Sequence, residues 1–172
     1  MDRMSCEIFI GGKVTKEQLP ELIKAINDEG VEDEYGNGNL RIESPERLLQ
    51  YVEDGFIKFI HVEKGNGEFV DLESWLQENG IPFNRTTEQK DEYDAEDVTW
   101  LPGMDSPLVL YTDAMGNENI PGKIVRQALQ ALINYNTAGG AADRDQYLNL
   151  ALNLLKGVCP ELLQIPKFEI VD

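Results

Sequence analysis

The sequence predicts an α+β fold: a mixed, largely antiparallel sheet with packed helices and a C-terminal helical hairpin. Three observations lead there. Short apolar runs of strand length recur through the first two thirds of the chain, each bounded by Gly, Pro or Asn. Between them lie segments with apolar residues at the i, i+3, i+4, i+7 spacing of a half-buried helix. The last third then changes character, to two amphipathic helical stretches split by Gly139-Gly140.

Taken in order, Cys6–Ile10 is a short strand ended by Gly11-Gly12. This glycine pair is a plain turn, because a phosphate loop would need a third spaced glycine or a Lys-Ser/Thr pair. Thr15 and Gln18 form a capping box ahead of a helix whose inner face is Leu19, Leu22, Ile23 and Ile26. Pro20 is tolerated in the first turn and Gly30 suits the C-terminal cap. After an acidic loop, Leu40–Ile42 reads as a strand, and Ser44-Pro45 starts a helix carrying Leu48, Leu49 and Val52 inward. Phe56–Val62 is the clearest strand, with bulk on both faces, which predicts a central position. Asp71 caps a short helix holding Leu72, Trp75 and Leu76. Ile81-Pro82-Phe83 extends as an edge, because proline cannot donate to a ladder. Residues 84–92 are polar and read as loop. Tyr93–Leu101 and Leu108–Thr112 make a hairpin, within which Trp100 packs before the Pro102-Gly103 turn.

In the last third, Ile124, Ala128, Ala131, Leu132 and Tyr135 define one helix. Asp143 with Gln146 caps a second, bearing Leu148, Ala151, Leu152 and Leu155. Pro166–Val171 is an extended tail able to add an edge strand. Residues 1–172 are expected as one domain, with 1–118 as an α/β body and 119–172 as the hairpin plus tail.

Composition limits the chemistry. The chain has 172 residues, 41% of them hydrophobic, which is enough to bury a core. No stretch approaches the ~18 consecutive apolar residues of a membrane span. Met1-Asp2-Arg3-Met4 runs into polar residues without an apolar signal stretch, so the expected location is the cytoplasm. Cys6 and Cys159 sit among apolar neighbours and are expected as buried thiols rather than a disulfide framework. With one histidine and two distant cysteines, soft-ligand metal sites lack their ligands. His61, at a strand end, reads as structural. No nucleophile-elbow pattern is present, and no cofactor is implied.

The net charge of −17 is the distinctive number, and it is localised. Residues 28–118 hold 23 acidic and 6 basic side chains, a net of −17, while the remaining residues balance at 9 of each. Such a field repels nucleic acid and anionic membrane and attracts basic proteins. Glu88, Asp91, Glu92, Asp94, Glu96 and Asp97 fall within ten residues, and Glu32, Asp33 and Glu34 form a second group. Tyr35 and Tyr93 stand beside them as aromatic anchors. The expectation is a non-enzymatic acidic protein that engages a basic protein surface through these residues. An inhibitor that mimics nucleic acid on a nuclease or defence enzyme fits that description. One alternative is a hydrolase or transferase with a carboxylate or magnesium site, although the cluster lacks the EF-hand spacing. Another is a structural subunit that oligomerises through the helical hairpin.

Overall fold

The computed structural model describes residues 3–32, 40–90, 94–112, 120, 122–156, 158 and 164–172. Its contacts fall into two compact units, Met1–Gly116 with Ile165–Asp172, and Asn117–Gln164.

The first unit is built on a six-stranded sheet. Its strands are β1 (Arg3–Ile10), β3 (Val52–Glu53), β4 (Phe56–Gly65), β5 (Phe83–Thr87), β6 (Ala95–Trp100) and β7 (Leu108–Thr112), in the order β3-β4-β1-β5-β6-β7. Every neighbouring pair is antiparallel. A separate two-stranded sheet joins β2 (Lys13–Thr15) in parallel to β8 (Glu169–Val171), so the tail does add a strand. The helices are α1 (Leu19–Glu29), α2 (Pro45–Leu48) and α3 (Val70–Glu78).

Strand alternation decides where the core lies. Met4, Cys6, Ile8 and Ile10 of β1 point one way and are buried, as are Ile57 and Phe59 of β4 beside them. Leu19, Leu22 and Ile26 of α1 and Leu72 and Leu76 of α3 complete this core with Phe83 and Trp100. Trp100 stacks on Phe83 at 6.3 Å between ring centroids, and its indole N–H donates to the Met104 carbonyl at 3.3 Å. The opposite face of the sheet is only half-buried at Phe9, Lys58, Asn84 and Thr86. There the Lys58 ammonium lies over the Phe9 ring and between Glu7 and Glu53, 3.7 and 3.6 Å away.

Local signals worked where a side chain could close a turn by itself. Gln18 N–H donates to Thr15 Oγ1 at 3.2 Å and Thr15 N–H to Gln18 Oε1 at 3.0 Å, so the expected reciprocal pair forms. It closes the turn between β2 and α1, however, and Gln18, not Thr15, occupies the cap position of the helix. Ser44 Oγ likewise accepts from Arg47 N–H. Gly11 and Gly12 are a packing turn. Their N–H groups donate to the Pro82 and Pro166 carbonyls at 3.0 and 2.8 Å, and a Cβ on Gly11 would come within 2.1 Å of the Pro166 oxygen.

The structure differs from expectation wherever distant residues supply the partner. Leu40–Ile42 is not a strand. The Asn27 side chain takes the place of one, accepting from Ile42 N–H at 2.7 Å and donating to its carbonyl at 2.8 Å. Phe83–Thr87 is an interior strand, not an edge followed by a loop, because Pro82 stops one residue short of the ladder. Strand β4 lies next to the short edge strand β3, and only its Ile57 and Phe59 side is fully buried. The segment after Pro45 makes one short helix and a 3₁₀ turn, leaving Leu48 buried and Leu49 47% exposed. Phe69, not Asp71, occupies the cap position of α3, and the carboxylate that receives a first-turn N–H comes from Glu29 of α1.

The second unit holds α4 (Gly122–Thr137) and α5 (Ala141–Lys156), packed as a hairpin. Ala128, Ala131 and Ala151 are buried, small enough for close approach of the two helices. Helix α5 begins at Ala141, ahead of the expected Asp143 cap, because the Gly140 carbonyl already accepts from Arg144 N–H. Asp143 falls in the first turn, where a carboxylate suits the helix dipole.

Candidate functional site

The antiparallel register gathers one set of strand ends. Arg3 pairs with Gly65, Cys6 with Thr87, and Ala95 with Thr112. That end of the sheet carries Glu63 on β4 itself and Glu68, Glu88 and Asp94 in its loops, among the described residues. Glu88 and Asp94 are exposed, and neither has an ion-pair partner among those residues. Glu88 N–H donates to the Ser5 carbonyl at 3.1 Å, which fixes the start of the β5–β6 connection against β1. Arg3 is engaged by Glu63 at 3.1 Å, and Lys90 donates to the Arg3 carbonyl.

The remaining acidic candidates are placed differently. Glu96 and Asp97 are neighbours on β6 and so point to opposite faces. Glu96 turns to the core side, 3.4 Å from Arg85. Asp97 accepts from Asn84 Nδ2 at 2.6 Å on the other side. Glu32 bridges to Ile60 at the far flank of β4, four strand spacings or ~19 Å from β6. Its carboxylate accepts from Val62 N–H at 3.1 Å and lies 3.9 Å from His61 Nδ1. Asp33, Glu34, Tyr35, Asp91, Glu92 and Tyr93 lie outside the described residues. Of the nine carboxylates picked out by charge clustering, Glu88 and Asp94 are thus placed together and open to solvent, while Glu32, Glu96 and Asp97 have internal partners.

A second constellation, invisible to charge counting, lies beneath the start of α3. Arg85, buried on the core side of β5, donates to the Gly67 carbonyl at 2.8 Å and faces Glu73 and Glu96. Its Nε is 2.9 Å from Glu73 Oε1, yet the N–H points off that line, so this contact is an ion pair rather than a hydrogen bond. Glu73 also receives Phe69 N–H at 3.0 Å. Burial pushes the Glu73 pKa up, opposed by the Arg85 charge and by that N–H. Beside it, Lys64 pairs with Glu29 at 2.5 Å, donates to the Glu29 carbonyl at 2.9 Å and sits over the Phe69 ring. The other Glu29 oxygen accepts from Leu72 N–H at 2.8 Å. Cys6 adjoins this network, and burial drives its thiol up to about 12.

Both charge pairs pin the first turn of α3 to the sheet. The sequence did contain a signal: Arg85 alternates with the inward residues Phe83 and Thr87, the pattern of a core-facing charge that needs an acid opposite. As chemistry the network is closed, since each ionised group already has its counter-charge and Cys6 is held as the unreactive thiol. Among the described residues, no group of three or more His, Cys, Asp or Glu side chains converges as a metal site requires. A cleft of about 440 Å³ lies elsewhere, along α1 and residues 40–41. Its ionisable lining is Lys24, Asp28 and Arg41. Lys24 is held by Asp28 at 3.0 Å, which raises its pKa and makes it a poor base.

No family model, curated protein or solved structure matches the chain. The functional reading therefore rests on the acidic sheet end and the charge distribution. No helix among the described residues is long and apolar enough to cross a membrane.

Proposed function

We propose that this chain is a non-enzymatic binding protein that engages a basic protein surface through the acidic end of its sheet. The distribution of charge between the two units carries this reading. The sheet-bearing unit holds 28 acidic and 11 basic residues, a net of −17, while the helical unit holds 4 of each. Six basic residues of the first unit, Arg3, Lys16, Lys24, Lys58, Lys64 and Arg85, are already paired with carboxylates. Lys90, at the acidic end itself, is turned onto the Arg3 carbonyl, and acidic side chains remain in excess there. The partner that suits such a surface is a protein whose own ligand is a polyanion, as in a nuclease or defence enzyme blocked by nucleic-acid mimicry.

The test is capture from a host lysate on the immobilised 172-residue chain at ~0.05 M and ~0.5 M salt, on either side of the regime where surface charges are screened. A partner held by this surface elutes as salt rises. The E68Q/E88Q/D94N variant should slow its association by about tenfold, an effect that falls mainly on the on-rate. Capture that survives high salt, or is unchanged in the variant, overturns the assignment.

A further inference from the structure

The helical unit has an apolar face turned to solvent. In α4, Val125, Leu129, Leu132 and Ile133 are 45%, 57%, 36% and 46% exposed. Their spacing of i, i+4, i+7 and i+8 makes one stripe about 100° wide, beside the seam formed by Ala128 and Ala131. In α5, Leu148 and Leu152, 36% and 42% exposed, lie beside buried Ala151 at the i, i+4 spacing, while Leu150, 49% exposed, points to the other side of the helix. The residues linking the helices, 138–140, are too few for anything but an antiparallel hairpin. Counting 100° per residue from each seam, with opposite senses for the two antiparallel helices, puts both stripes on the same side of the hairpin. Charge is sorted along its length. Lys123 and Arg126 of α4 and Lys156 of α5 mark one end, a net of +3, and Asp143, Arg144 and Asp145 mark the other, a net of −1.

We infer that this face binds a second copy of the chain, forming an isologous four-helix bundle. Two observations select that occupant. The helical unit, residues 117–164, carries no net charge, so the mutual repulsion of copies that each have 17 excess negative charges is weakest here. The sorted charges are also self-complementary in one orientation. A two-fold axis across the helices lays α5 on its own symmetry mate in the reverse direction. Lys156 of each copy then meets Asp145 of the other, and Leu129 falls near the axis. The other face-to-face arrangement, with the axis along the helices, would bring Lys156 against Arg126 and is disfavoured.

The area is adequate. Two 16-residue helices are ~24 Å long and together ~20 Å wide, a footprint on the order of 500 Å² per copy. That is near the lower edge of specific interfaces, which predicts a dissociation constant in the micromolar range.

The experiment is sedimentation velocity of the 172-residue chain from ~1 to ~200 µM, a span that brackets a micromolar constant. The expected result is a concentration-dependent shift to twice the monomer mass. Leu129→Glu should raise the dissociation constant at least ~100-fold, as for an apolar residue at the centre of an interface. Lys156→Asp should weaken the dimer by about tenfold and the D145K/K156D double variant should restore it, since reversing both partners rebuilds the reciprocal pairs. Both sites are exposed on a helix surface, so folding, followed by circular dichroism, should be unaffected. A chain that stays monomeric across the range overturns the inference. So does a dimer indifferent to Leu129→Glu, or one that the double charge swap fails to restore. The outcome is independent of whether the acidic sheet end binds a basic partner.

Discussion

Replacing Arg85 by Leu removes the positive charge from the densest buried network while keeping apolar bulk. The Arg85 side chain is 4% exposed and that of Glu73 12%, so Glu73 would be left with little water and no counter-ion. Glu96, at 27%, can be hydrated and contributes less. Breaking a buried pair from one side costs about 3–5 kcal/mol, mostly the penalty of the stranded charge. That penalty depends on pH in a defined sense. The folded-state pKa of Glu73 is already raised by burial and is held down chiefly by Arg85. Loss of Arg85 raises it further. Between the unfolded carboxylate value and this raised value the native state binds the extra proton, so stability falls as pH rises. The cost of R85L is therefore smallest at mildly acid pH and largest once Glu73 is forced to ionise. Urea unfolding of wild type and R85L at pH 5 and pH 8, followed by Trp75 and Trp100 fluorescence, measures the difference. The double variant E73Q/R85L, which removes the stranded charge, should be more stable than R85L alone at pH 8. A cost below ~1 kcal/mol, or equal costs at the two pH values, would refute the claim that Arg85 neutralises a buried carboxylate.

Two further outcomes follow from the same core. Asn27→Leu leaves the N–H and C=O of Ile42 without their partners, and should cost about 2–3 kcal/mol by thermal or urea unfolding, the sum of two lost hydrogen bonds and their desolvation. Because its pKa is driven to about 12, the Cys6 thiol should resist maleimide at pH 8 in the folded protein and react once it is unfolded; peptide mapping would locate the label, and rapid native labelling at Cys6 would contradict its burial.

How much was legible in the sequence depended on range. Elements closed by their own residues, such as the Thr15–Gln18 box, the Ser44 cap and the β6–β7 hairpin, could be read directly, and the α+β architecture came with them. What was missed needed a partner from afar. Leu40–Ile42 has the apolar alternation of a strand, but its hydrogen bonds are met by the Asn27 side chain, fifteen residues away. Asn84-Arg85-Thr86-Thr87 looks like polar loop until Glu73 and Glu96 are brought opposite Arg85. The acidic candidates divide for the same reason. Net charge counts Glu32, Glu88, Glu96 and Asp97 alike, whereas the fold spends Glu32 on Val62, Glu96 on Arg85 and Asp97 on Asn84. Glu88 and Asp94 keep their charge outward.

The two proposed surfaces can be told apart by salt alone. Attraction between an acidic sheet end and a basic partner is a field effect, so added salt weakens it and slows the encounter. Self-association of the hairpin runs the other way. The apolar contact at Leu129, Val125 and Leu152 is insensitive to moderate salt, while the general repulsion between two chains of charge −17 is screened by it. The Asp145–Lys156 pairs lose some strength, but exposed pairs contribute only ~0–1 kcal/mol each, and screening the larger like-charge field offsets that loss. The dimer should therefore hold or tighten between ~0.05 M and ~0.5 M salt while partner capture fades. If both fade together, the hairpin contact is electrostatic rather than apolar, and the packing argument built on the α4 and α5 stripes fails with it.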